Sequence, residues 1–288
     1  MVLDQSYLQR TSYKQDIFKG KVVFVTGGAG TICRVQAEAL VLLGANAAII
    51  GRNEEKTVSA AKEISQLRPG VKVIGVGNTD VRNIKSLQAA VDQTVKELGR
   101  IDFVIAGAAG NFLCDINSLS ANAFKSVIDI DVLGSYNTLK ATYNQLVKNK
   151  GEIIFISATL HYQGTPFQSH VSAAKAGIDA LSQTIAVELG PLGVRSNIIA
   201  PGAVANTEGF KRLIGHKTES EVNSKIPLQR PAKTEDIANT TVFLLSPAGE
   251  YITGDKIVVD GGQWHLGNGI SEGYPKLIKE RSLKPSKL

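Results

Sequence analysis

The chain has 288 residues, of which 43% are hydrophobic and 20% charged, with a net charge of +6. This is the composition of a globular chain with a full core, and it excludes a disordered or fibrous protein. No apolar run reaches the ~18–20 residues of a spanning helix, and 6% aromatic content without interleaved basic runs argues against a nucleic-acid surface.

Residues 1–20 hold no apolar core suited to secretion, so no signal peptide is expected. The first predicted strand covers residues 21–26. It runs into Thr26-Gly27-Gly28-Ala29-Gly30-Thr31-Ile32-Cys33, which opens a predicted helix over 33–43 ended by Gly44. Glycines at such a turn let the backbone approach an anion, and the helix N-terminus supplies N–H groups and positive dipole. Thr26, Gly27, Gly28, Gly30, Thr31 and Ile32 are therefore candidate binders of a dinucleotide pyrophosphate.

The second predicted strand, 47–51, ends at Arg52. A cofactor without a 2′-phosphate usually meets an acid at this point. A guanidinium pairs instead with phosphate in fork geometry, which points to NADPH over NADH. Further predicted strands cover 71–76, 101–106, 152–157, 195–200 and 256–260, and the first six alternate with helical patterns. Val- and Ile-rich runs without polar alternation suit strands buried on both faces. The pattern predicts an α/β fold: one Rossmann-type doubly wound parallel sheet of about seven strands with helices on both faces. The chain is expected to form a single domain over 1–288, with residues 208–223 as a helical flap. Cys33 and Cys114 lie far apart without metal spacing, so free buried thiols and no metal site are expected.

Several motifs resemble the short-chain dehydrogenase/reductase family. They are the glycine loop, Ala106-Gly107-Ala108-Ala109-Gly110, Lys175 within Ala173-Ala174-Lys175-Ala176-Gly177, Pro201-Gly202 and Asp260-Gly261-Gly262. The resemblance covers residues 17–265. It implies a nicotinamide cofactor held also by Asp80, Val81, Ala108, Lys175, Pro201 and Gly202, and a homo-oligomer. Two loop positions depart from the pattern, with Thr31 and Cys33 standing where the family has glycines.

The family's catalytic tyrosine, four residues before the lysine, is replaced by Val171. Its serine position is Ala158, beside Ser157, and its asparagine position is Asp131. This substitution pattern resembles the peroxisomal 2,4-dienoyl-CoA reductases. The segments carrying that likeness include Asn111-Phe112-Leu113-Cys114, Asp129-Ile130-Asp131 and Ser157-Ala158-Thr159. It implies hydride transfer from NADPH to C5 of a 2,4-dienoyl-CoA and protonation of the dienolate at carbon, so that no phenol need protonate a carbonyl oxygen. Lys175 would then bond the nicotinamide ribose and stabilise the dienolate. Asp131 would deliver the proton through a water, and Asn111 would hold the thioester carbonyl or that water. Phe112 and His170 are the remaining candidates for substrate contact. Two alternatives stay open: a carbonyl or 3-oxoacyl-thioester reductase with Tyr162 as donor, and a non-catalytic nucleotide-binding relative. The terminal Ser286-Lys287-Leu288 is the address read by the peroxisomal import receptor, so a matrix location is expected.

Overall fold

The computed structural model describes residues 3–214 and 218–266. Seven strands pair in parallel throughout, in the order β3-β2-β1-β4-β5-β6-β7. They are β1 (Val22–Thr26), β2 (Asn46–Ile50), β3 (Val73–Val76), β4 (Phe103–Ala106), β5 (Glu152–Ile156), β6 (Arg195–Pro201) and β7 (Lys256–Val259). The expected doubly wound sheet is present. The chain runs outward from β1 to β3, returns to the far side of β1, and continues to β7. The reversal between β1 and β4 leaves a crevice at their carboxyl ends, the usual ligand position in such sheets.

The short α1 (Tyr7–Arg10) precedes the sheet. The helices that cover it are α2 (Thr31–Leu42), α3 (Glu54–Ser65), α4 (Ile84–Leu98), α5 (Ala121–Ile128), α6 (Gly134–Asn149), α8 (Ser169–Leu189) and α11 (Thr234–Leu245), with α7 (Leu160–Gln163), α9 (Glu208–Ile214) and α10 (Glu219–Asn223) in the connections. Alternate residues of a strand point to opposite faces. Val23 and Val25 of β1 thus join Leu40 of α2 and Val242 of α11 in one core. Phe24 joins Leu87 of α4, Leu139 of α6 and Ile178 of α8 in the other. All five β1 residues are buried, so an apolar run without alternation is what this position requires.

The helix starts separate structural ends from a functional one. Asn53 accepts from Lys56 N–H at the start of α3, Asn83 from Lys85 and Ser86 N–H at α4, and Ser120 from Ala123 N–H at α5. Such caps satisfy donors that the first turn leaves without partners. No side chain caps α2, which opens on Gly30 in extended conformation at the carboxyl end of β1. The helix starts two residues earlier than expected, because Gly30 itself is the capping position.

The region expected as a flap forms α9 and α10, the latter opened by a capping box between Thr218 and Glu221. Residues 286–288, the expected targeting tail, lie outside the described residues. No described helix is long and apolar enough to cross a membrane.

Candidate active site

The loop after β1 has no room for side chains. Gly27 has φ +66°, and a Cβ there would sit 3.0 Å from the Ala108 backbone. At Gly28 a Cβ would stand 2.9 Å from the Val25 carbonyl oxygen, and at Gly30 3.0 Å from that of Gly27. The Thr26 hydroxyl accepts from Gly107 N–H at 3.2 Å and so ties the loop to the exit of β4. Cys33 is buried with its Sγ against Gly107. Burial pushes its thiol up to about 12, so it packs rather than reacts. Cys114 is only half-buried, against expectation. The result is a bare backbone cradle beneath the uncapped start of α2, with Thr31 exposed at its lip.

The other cofactor candidates line the same sheet edge. Arg52 is exposed just after β2, and its charge reaches Asp80, after β3. Asp80 is held below the usual carboxylate range chiefly by its hydrogen bonds from Arg82, at 2.6–3.1 Å. Val81 is buried, and its carbonyl accepts from Asn137 at 2.9 Å. Pro201 ends β6, and Gly202 follows with its N–H on Val259 O at 3.1 Å.

Asp131 and Lys175 come together in the interior. Between α5 and α6 the helix widens into a π turn over Asp129–Leu133, which points the fully buried Asp131 inward. Such turns recur at functional sites. Small residues on α8 let this turn approach closely, for a Cβ on Gly177 would stand 3.3 Å from Val132. The Lys175 ammonium lies 2.8 Å from Asp131 Oδ1 and donates to Ile156 O at 3.0 Å. Gly110 N–H donates to Asp131 Oδ2 at 2.7 Å. Asn111 follows directly. Phe112 stacks on His170 with centroids 4.2 Å apart, and its carbonyl accepts from His170 Nε2 at 3.1 Å. His170 is therefore wholly buried against Phe112, not turned towards an open cleft.

A family model described as enoyl-(acyl carrier protein) reductase matches residues 27–263. The chain is 60% identical over 98% of its length, and over 98% of the relative, to the peroxisomal 2,4-dienoyl-CoA reductase SPS19 of Saccharomyces cerevisiae. Among solved structures, a short chain dehydrogenase from Bacillus anthracis is 36% identical with a TM-score of 0.79, covering 88% of this chain and 99% of that one. An NAD+-bound xylitol dehydrogenase is 25% identical with a TM-score of 0.78, covering 85% and 99%.

The chain belongs to the short-chain dehydrogenase/reductase family. It is an oxidoreductase of the nicotinamide-dependent kind. In this member the family's tyrosine position is filled with hydrocarbon. Val171 is buried in a cluster with Val127 and Ala174, against Phe112, Ile128, Val132 and Leu160. Tyr162, the donor of the alternative reading, lies on α7. Its ring packs against His161 and Trp264 and beneath the Lys256 ammonium, 5.1 Å away. Burial first, and the nearby Asp179 charge second, push it up to about 12.

Asp179 was not singled out from sequence. It is buried one turn beyond Lys175 and gathers Ser157 Oγ at 2.6 Å, His161 Nε2 at 2.8 Å and Lys256 Nζ at 3.0 Å. Burial alone would raise its pKa, but these three partners together hold it below the usual value. The one available signal was its i,i+4 spacing from Lys175, which puts both on one helix face. Glu152 is a useful contrast. Burial pushes its carboxyl up against the pull of Arg195, yet it sits at the amino end of β5, away from the crevice. Among the described residues no His, Cys, Asp and Glu group could hold a metal ion.

Proposed function

We propose that this protein reduces 2,4-dienoyl-CoA thioesters to 3-enoyl-CoA with NADPH, an auxiliary step in the peroxisomal β-oxidation of unsaturated fatty acids. The observation that carries this reading is the Asp131–Lys175 pair beside an apolar Val171. Without a phenol, the site has no group in the family's place for protonating a carbonyl oxygen as it becomes an alcohol. A conjugated alkene needs none there. The 60% identity to a peroxisomal reductase of that name supports the reaction, and that relative and a 42% identical one from Danio rerio, both named as peroxisomal, support the location.

The cradle of Gly27, Gly28 and Gly30 under the uncapped α2 fits a pyrophosphate, since any Cβ would fill the space. Residues 1–288 then form one NADP-binding domain. Thr26, Thr31, Ile32, Ala108, Pro201 and Gly202 complete the cofactor wall, with Asp80 and Val81 beside the adenine and Arg52 on the 2′-phosphate. When bound, NADPH supplies a hydride. Lys175 has three N–H donors; Ile156 O takes one and Asp131 pairs with the charge, so a donor remains for a ribose hydroxyl. Its charge also stabilises the negative charge that develops along the thioester. Asp131 delivers the proton to carbon through a water, Asn111 holds the thioester carbonyl or that water, and Phe112 walls the acyl chain. Tyr136 and Leu133 remain exposed on the central helix, which suits self-association into a homo-oligomer.

The test is turnover of a short 2,4-dienoyl-CoA with NADPH, followed as loss of dienoyl absorbance. Nicotinamide oxidation only with a 3-oxoacyl thioester, giving an alcohol, would replace this reading by the carbonyl reductase. No oxidation with either would leave a non-catalytic nucleotide binder. Cofactor choice has its own check. Arg52→Ala raises the KM for NADPH by about tenfold or more, the scale of a lost charge-assisted pair, while the KM for NADH barely moves. Equal changes for both cofactors would remove Arg52 from the 2′-phosphate.

A further inference from the structure

Between the end of β4 at Ala106 and the start of α5 at Ala121 the main chain has no regular ladder or helix to hold it. This stretch nevertheless carries Asn111, which on the functional reading above must be placed accurately. Its neighbour Gly110 is pinned, with its N–H on Asp131 Oδ2 at 2.7 Å. The other neighbour is pinned more firmly. The Phe112 carbonyl accepts from Gln168 Nε2 and from His170 Nε2, each at 3.1 Å. A carbonyl oxygen has two lone pairs, and here two side chains take both.

Both donors are wholly buried, with no exposed surface. Their remaining polar atoms, Gln168 Oε1 and His170 Nδ1, find no protein partner among the described residues. Burying polar atoms in this way lowers stability, so the arrangement is not one that fold stability alone selects. The His170 ring also lies flat on the Phe112 ring, at 25° between planes, which fixes rotation about that residue. Gln168 directly precedes α8 and His170 is its second residue, five positions before Lys175 on the same rigid helix.

We propose that Gln168 and His170 are positioning residues, which lock the main chain at Phe112 so that Asn111 keeps its place relative to the Asp131–Lys175 pair. The proposal rests on the dienoyl-CoA reading for its catalytic consequence. His170 acts through its Nε2–H, and neither side chain touches the reacting atoms.

The test uses the full chain with four variants. His170→Phe keeps a stacked ring without the donor, and His170→Gln keeps an amide donor of similar reach. Gln168→Leu removes the second donor, and Gln168→Glu replaces it by an acceptor. Loss of orientation is expected to lower kcat for a short 2,4-dienoyl-CoA by about tenfold in His170→Phe and Gln168→Leu, with NADPH affinity within about twofold of the parent. The deuterium isotope effect from NADPH labelled at C4 rises as hydride transfer becomes limiting. His170→Gln recovers most of the loss. A purely structural role would lower Tm but leave kcat per folded molecule and the isotope effect unchanged, and that result overturns the proposal.

Amide exchange supplies a readout that needs no turnover. The N–H groups of residues 110–114 should exchange about tenfold faster in Gln168→Leu and Gln168→Glu, because local opening sets their protection. Unchanged exchange sinks the clamp even if the protein proves inactive on dienoyl-CoA, and inactivity with faster exchange counts against the functional reading alone. Should His170→Phe fail to fold, the Gln168 variants and His170→Gln decide.

Discussion

Replacing Asp131 with Ala lowers kcat on a 2,4-dienoyl-CoA by about 10²-fold or more, the scale of a lost general acid–base group. The argument starts from burial. Asp131 has no exposed surface, and its two oxygens are met by the Lys175 ammonium and the Gly110 N–H. Asp131→Asn is the sharper companion, because its amide oxygen still accepts from Gly110 while the carboxylate is gone. Both variants should bind NADPH normally, since the glycine cradle is built from backbone after β1, without the Asp131 side chain. Steady-state kinetics with single-turnover mixing would separate chemistry from binding. A rate near that of the parent in either variant removes Asp131 from the mechanism.

Lys175→Met has the largest expected effect on the fold. It leaves the Asp131 carboxylate buried without its cation, and breaking a buried pair from one side costs about 3–5 kcal/mol. For a chain of this size that corresponds to a fall in Tm of roughly 10 °C. Activity falls as well, by about 10²–10³-fold for one lost electrostatic donor. The double variant Asp131→Asn with Lys175→Met should regain most of the stability and none of the activity, because no buried charge is then left alone. Such non-additivity is what direct contact produces. Additive stability losses would mean that the two side chains do not form a buried pair in solution. Melting curves and turnover on the same four proteins decide between these outcomes.

Much of the fold was legible because its determinants are local. A strand buried on both faces reads as an apolar run, and the seven observed strands fall within one or two residues of those expected. The small errors have causes. Ile101 has the apolar character of a strand residue and is fully buried, but its N–H turns to the Gln145 side chain instead of a neighbouring strand, and β4 starts only at Phe103. The strand at 71–76 starts late for a similar reason, since Lys72 N–H is taken by the Asn46 side chain. The glycine loop was equally readable, because a tight turn into a helix restricts residue choice position by position.

The chemistry of the site was legible only as residue types. Lys175, Asp131 and Asn111 could be picked out by likeness and spacing, but nothing in the chain order says that the lysine and the aspartate touch. That contact requires a π turn, which shifts the phase of the helix and carries Asp131 from its periodic position into the interior. The surroundings of His170 were hidden for the same reason. As a helix-start residue it was a candidate for substrate contact, whereas the fold folds a loop from 58 positions earlier onto its ring.

By itself, then, the order of residues determined the parallel doubly wound sheet, the tight glycine turn into α2 and the loss of the family's phenol, each a property of a few consecutive residues under steric and hydrogen-bonding rules. Only the tertiary structure decided which buried groups face one another: Asp131 with Lys175, Asp179 with Ser157, His161 and Lys256, and Phe112 with Gln168 and His170. The reason is physical. A buried polar group must find a partner across whatever packing brings near, and that packing joins segments that sequence separation keeps far apart.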